Sequence, residues 1–299
     1  HRTIILLVVL LALELTPRVA QATGVSVAPQ RIVLQGRTFA ATVYLSNRGI
    51  APATYRIGLA RLVMKETGEV VRMAEDESTD VLFADDLIRY SPRRCVIPPG
   101  GSQTVRLLVR RPRGDMAQTA EYRTHLAVRT VPDVPNLEDV EDAVSRPDSL
   151  DQDSETFSIK AVATLETLVP IIIRFGRLDA EPSIREAWVE APDDASERPE
   201  IHVSLGREGD RSLYGTLRFT HVGPGGRESS LGFVRGLAVY TPLAQRAVRY
   251  PFDLPPGVDL TEGSLRIDFV ETDDGGGDGE ATLTIPLQDA VTLTGSGSD

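Results

Sequence analysis

The clearest hydrophobic pattern in the chain lies between Phe157 and Arg174, FSIKAVATLETLVPIIIR. Phe157, Ile159, Ala161, Ala163 and Leu165 are apolar, and Ser158, Lys160 and Thr164 between them are polar, with Val162 the exception. Alternation with a period of two predicts a strand with one buried face. A helix would place its apolar residues three and four apart, and Pro170 would interrupt it. From Leu168 to Ile173 the run becomes almost continuously apolar and β-branched, as in a strand covered on both faces. One long strand is therefore expected to change environment halfway along, and Thr167 stands at that change.

Similar alternation recurs on both sides. In the first half, strands are expected over Gly24–Leu34, Phe39–Ser46, Thr54–Val63, Glu69–Met73, Leu87–Tyr90, Arg94–Ile97, Gln103–Arg110 and Glu121–Thr130. Asn47-Arg48-Gly49 and Pro98-Pro99-Gly100-Gly101 are among the turns. Short strands with a turn every eight to twelve residues or so predict an immunoglobulin-like sandwich. Residues 131–156 carry three prolines and many acids against Arg146 alone, and read as a flexible acidic loop. Phe175-Gly176-Arg177 reads as a hinge. Beyond it, strands are expected over Ile184–Glu190, Glu200–Leu205, Ser212–His221, Ser230–Tyr240, Val248–Phe252, Ser264–Glu271 and Thr282–Leu287. The expectation is an all-β chain of two sandwich domains, residues 23–174 and 175–299, with no helix and a disordered tail from Thr294.

Composition narrows the function. Residues 1–22 carry Arg2, an apolar stretch from Ile4 to Leu13 and Ala20-Gln21-Ala22, which predicts a Sec-type signal peptide cleaved near Thr23. That stretch is too short to span a bilayer, and no later segment is apolar enough to do so. An exported protein without stable membrane insertion is expected. A net charge of −11 disfavours nucleic acid and anionic membrane as partners. Cys95 is the sole cysteine, so stability must come from the cores, and it is expected to be a buried structural thiol.

Catalytic constellations are missing. His1, His125, His202 and His221 are scattered without metal-ligand spacing, and His125 is expected as a packed or rim residue. No GxSxG elbow is present, and no base lies near Cys95 in sequence. Gly223-Pro224-Gly225-Gly226 precedes no helix and reads as a turn, not a phosphate cradle. Glu271–Glu280 is acid-rich, but its spacing does not fit a calcium loop. Neither a cofactor nor a metal is expected, and binding is the leading class. An exposed strand with one apolar face can be donated to another protein's sheet.

Four segments carry a resemblance. They are Arg31-Ile-Val-Leu-Gln-Gly36; Ile97-Pro-Pro-Gly-Gly-Ser-Gln-Thr-Val-Arg-Leu107; Glu121-Tyr-Arg-Thr-His-Leu126; and the strand ending in Arg174, with Arg211-Ser-Leu-Tyr-Gly215 and Ala238-Val-Tyr-Thr-Pro242 as echoes. In order and spacing they resemble the PapD-like periplasmic chaperones of pilus assembly across the mature chain. The resemblance implies two immunoglobulin-like sandwiches set as an L with a cleft between them, and no catalytic activity. It implies that the chaperone lends a strand to a pilus (fimbrial) subunit lacking its last one, then delivers the subunit to an outer-membrane usher. The lent side chains would be Phe157, Ile159, Ala161, Ala163, Leu165 and Thr167. In the family a basic pair in the cleft holds the subunit's terminal carboxylate, and Arg31 matches its Arg. A guanidinium suits a carboxylate because its fork donates two parallel hydrogen bonds. Pro170 stands at the position of the family's Lys, so Arg31 anchors alone, another base such as Arg174 substitutes, or the clamp is weaker. Ala161 and Ala163 are smaller than the side chains the family donates, and the long loop resembles the family's long-loop subgroup. The alternative is an exported two-domain surface or assembly module whose focal strand is plain core.

Overall fold

The computed structural model describes residues 24–74, 79–114, 116–132, 164–192, 198–272 and 278–294. Residues 1–22, expected as a signal peptide, and Phe157, Ile159, Ala161 and Ala163 lie outside these, as does all of the expected acidic loop beyond residue 132.

Alternating sequence gives strands, and the strands pack as two sandwiches. In the first, β1 (Val25–Ala28), β3 (Ala40–Asn47), β9 (Ser102–Val109) and β7 (Ile88–Ser91) form one sheet in that order. The facing sheet has the order β2 (Ile32–Gln35), β11 (Glu166–Phe175), β10 (Ala120–Val131), β4 (Ala53–Ala60) and β8 (Arg94–Ile97). Neighbours are antiparallel except β2 and β11, which run parallel. Inward residues of both sheets, among them Val43, Leu45, Val105, Leu126, Ile171 and Ile173, form its core. A small hairpin, β5 (Leu62–Met64) and β6 (Val70–Arg72), stands apart from both sheets.

In the second sandwich, β16 (Gln245–Pro251), β13 (Glu200–Gly209), β12 (Ala180–Pro192) and β19 (Val291–Thr294) face β15 (Glu228–Val239), β14 (Leu213–Val222), β17 (Ser264–Glu271) and β18 (Glu280–Pro286). Val189, Ile201, Leu217, Phe219, Ile267 and Phe269 are fully buried between them. At the junction Gly176 adopts φ 78°, and an added Cβ would lie 2.6 Å from a Thr119 methyl, so backbone freedom and space both require glycine there.

Three expectations need correction. The segment Gly24–Leu34 is two strands: β1 pairs with β3 in one sheet and β2 with β11 in the other, and Pro29, with no N–H to pair, lies at the crossing. The described part of the focal strand forms β11 from Glu166, and residues 157–163 of that expectation lie outside the described residues. A one-turn helix, Leu287–Ala290, and the strand β19 follow β18; a single turn is too short for a helical period to register. Cys95 is half-buried against the first core, and burial raises its thiol pKa.

Ile171 is 0 % exposed at the centre of the first core. Ile171→Ala is expected to cost about 2–5 kcal/mol, read as a lower urea midpoint with an unchanged slope.

Candidate functional site

Strand β11 serves three neighbours at once. Val169, Ile171, Ile173 and Phe175 point into the first core. The pleat places Leu168, Pro170, Ile172 and Arg174 on the opposite face. There they lie level with Ala127, His125, Arg123 and Glu121 of β10. Leu168 packs with Ala60, Leu62 and Ala127, while Ile172 packs with Met64, Ala238 and Tyr240 between the sandwiches.

The two edges of β11 are not equally used. Along one, β10 pairs with it from Glu166 to Phe175. Along the other, β2 covers only Ile171–Arg174. Among the described residues no strand pairs with Glu166–Pro170 on that side. β1 faces this stretch across an open groove of about 490 Å³ lined by Val25, Ser26, Val27, Gln30, Thr167, Leu168 and Val169. The core-facing row of β11 thus runs out of its own sandwich. Val169 is buried, Thr167 half-buried, and Leu165 is 47 % exposed.

Below the groove, arginines of the first sandwich meet tyrosines of the second. Arg31 precedes β2 in register and so stands level with Pro170, and its guanidinium lies 4.1 Å from the Tyr214 ring centre. Arg123, 1 % exposed, lies 4.4 Å from the Tyr240 ring centre and donates from Nη1 to the Thr241 carbonyl at 3.0 Å. A ring face attracts a cation, the more so when water is excluded. Burial lowers the Arg123 pKa, against which Tyr240 and Glu121 act to raise it. Burial raises the Tyr240 phenol, and the charges of Arg31 and Arg123 oppose that rise. The junction between the sandwiches thus sets two guanidiniums of the first against two aromatic rings of the second.

Arg174 lies at the junction and is 4 % exposed. Its Nε donates to Glu121 at 2.9 Å and its Nη2 to the Ser212 carbonyl at 3.3 Å. Glu121 also accepts from the Ser212 N–H at 3.0 Å, the Thr241 hydroxyl at 3.2 Å and the Ser212 hydroxyl. One carboxylate therefore joins β10, β11 and two segments of the second sandwich. In sequence Glu121 and Arg123 belong to one of the four resembling segments and otherwise read as polar positions of an alternating strand, with no role assigned to either. Nothing local says that this polar face is covered by a second domain.

His125 is 5 % exposed and its Nδ1 has no hydrogen-bond partner among the described residues. Elsewhere Glu271 is committed to Arg211, and His202 stacks on Trp188 with ring centres 4.7 Å apart. Among the described residues, no group of three or more His, Cys, Asp or Glu side chains is placed to hold a metal ion, and no helix is long and apolar enough to cross a membrane.

No family model and no curated protein matches the chain. Solved structures it is similar to include the following three. One belongs to a chaperone–tip adhesin complex of CFA/I fimbriae biogenesis (TM-score 0.42, 11 % identity, covering 88 % of this chain and 98 % of that one). Another is the E. coli chaperone DraB (0.41, 12 %, 87 % and 96 %). A third is from the CsuC–CsuE chaperone–tip subunit pre-assembly complex of Acinetobacter baumannii (0.39, 12 %, 91 % and 100 %).

Glu121→Gln would leave Arg174 charged and buried without its counter-ion. A loss of about 3–5 kcal/mol is expected on chemical denaturation. Arg174→Met combined with Glu121→Gln should lose less than the two single changes summed, because the coupling disappears with both partners.

Proposed function

We propose that this protein is a periplasmic chaperone that binds incomplete fimbrial subunits by lending them the edge of β11, and that delivers them to an outer-membrane usher. The observation that carries the reading is the main-chain edge at Glu166–Pro170, which pairs with no strand among the described residues, beside an open groove and next to a side-chain row that leaves its own core. Unpaired strand edges recruit strands: the ladder supplies affinity and the alternate side chains supply register. In sequence the same row continues outward through Ala163, Ala161, Ile159 and Phe157. Those side chains, with Leu165 and Thr167, would fill the subunit's groove. Fully burying a leucine contributes about 1.5–3 kcal/mol, and each main-chain hydrogen bond about 0.5–1.5 kcal/mol net. Several such rungs and knobs give a stable complex without any covalent step.

Arg31 would hold the subunit's terminal carboxylate, stacked on Tyr214 so that its fork stays oriented. Because Arg174 is engaged with Glu121 and Ser212, its part in that clamp is to fix the strand and the second sandwich around the anchor.

Mixing the mature protein with a fimbrial subunit lacking its last strand should give a one-to-one complex by light scattering. Leu165→Asp, at a 47 % exposed position, should leave the melt within about 0.5 kcal/mol of wild type and weaken the complex at least about 100-fold. Unchanged binding would sink strand lending, and a melt lowered like that of a core variant would make the strand plain core. Arg31→Ala is expected to weaken binding by roughly 10- to 100-fold, the value of one charged hydrogen-bonded contact.

A further inference from the structure

We propose that the β5–β6 hairpin is a proton-released latch over the start of β11, closed while His125 is neutral and opened when His125 takes up a proton. The latch is a property of the free protein; only its consequence for a visiting strand rests on the chaperone reading.

The geometry begins with what covers His125. Leu62 of the hairpin packs on Ala127 and Leu168, and Met64 packs on Ile172 and Tyr240. Ala127 and Arg123 flank His125 on the same face of β10, and Leu62 and Met64 pack on that face to either side of it, which with the 5 % exposure of His125 places the hairpin as its cover. On either side in the sheet it lies level with Ala60 of β4 and Pro170 of β11, neither of which carries a charge. The charged groups around it are Arg123 on its own strand and Arg72 on β6. Arg72 in turn holds Glu166 at 2.6 Å, and Arg129 holds the other oxygen at 3.0 Å. Glu166 is the first residue of β11, where the unpaired edge begins. Within the hairpin Lys65 N–H donates to Glu69 O at 2.8 Å and Met73 N–H to Arg61 O at 3.0 Å, while at its tip the Glu66 carbonyl accepts from the Ala247 N–H of the second sandwich at 2.7 Å, so the movement is at the end that bears Leu62 and Arg72.

An imidazolium here would add a third positive charge beside two guanidiniums in a dry site whose Nδ1 finds no acceptor. Burial first, then the charges of Arg123 and Arg72, lower the His125 pKa from 6.5 to about 4. Once the roof lifts, water reaches the ring and its ordinary pKa returns. The closed state therefore holds its full advantage above pH 6.5. That advantage is lost progressively as the pH falls towards about 4, where the closed form itself protonates. Lifting β6 carries Arg72 away from Glu166 and loosens the beginning of the edge. In a strand-lending chaperone that would make subunit capture weaker in acid.

Hydrogen exchange on the full mature chain, corrected for the chemical pH dependence of amide exchange, reads the opening directly. For the Lys65 and Met73 amides the opening constant should rise roughly 30-fold from pH 7.5 to pH 5, while the amides of Leu217 and Phe219 stay unchanged. In His125→Gln the rise at the hairpin should shrink to below about 3-fold. An equal rise in wild type and variant, or an equal rise at the Leu217 and Phe219 amides, overturns the latch. Should the variant fail to fold, an NMR titration of the wild-type imidazole decides: a midpoint well below 6.5 is expected, and one at or above 6.5 overturns the proposal. All of these readings use free protein, so a negative result leaves the strand-lending reading standing, and failure of subunit binding leaves the latch standing.

Discussion

Every interior strand must find hydrogen-bond partners along both edges, because an unpaired peptide group away from water costs as much as a lost hydrogen bond. β11 meets this requirement on the β10 side throughout and on the β2 side for only four residues. The parallel pairing with β2 is what limits it. β2 follows a crossing at Pro29, before which the chain belongs to the other sheet as β1. Splitting one stretch of chain between two sheets leaves a gap at the corner of the sandwich, and the gap is where β11 lies open. The groove, the exposed Leu165 and the proposed activity all follow from that arrangement.

The second organising element is the Glu121 carboxylate. Burying an ion pair is costly, and the attraction within the pair offsets that cost only when the remaining lone pairs are also satisfied. Here Arg174, the Ser212 N–H and hydroxyl, and the Thr241 hydroxyl satisfy them. Such a site contributes orientation more than raw stability. The apolar contact of Ile172 and Met64 with Ala238 and Tyr240 would tolerate sliding, whereas a carboxylate with several directed donors does not. Arg31 and Arg123 on their tyrosines then sit at fixed positions relative to the open edge.

Much of the fold was legible because a period of two needs only local sequence. Strands such as β8, β9, β10 and β17 appear where alternation and turn residues place them. What local sequence does not carry is the destination of a face. Gly24–Leu34 reads as one extended piece, although its inward side chains change from odd positions (Val25, Val27) to even ones (Ile32, Leu34) across Pro29–Arg31, where the chain passes between sheets. The face of β10 that bears Glu121, Arg123 and His125 has the polarity of a solvated face, yet a hairpin and a second sandwich cover it. Arg174 was singled out for its charge, and its position beside Glu121 is a matter of register between two distant strands. Arg31 was found through a motif resemblance, and its stacking on Tyr214 needs the tertiary structure.

The β5–β6 hairpin belongs to the first sandwich by sequence, but the Ala247 N–H donates to its Glu66 carbonyl at 2.7 Å, and the Arg246 side chain fits against Gly68 at its tip. Gly68 has φ 84°, so its place in the turn and its contact with the other body are one requirement. A tenant of both halves ties their histories together. Grafting either sandwich onto a foreign companion would strand a loop built for the old one, so the two halves of this chain must drift, and be re-engineered, as a pair.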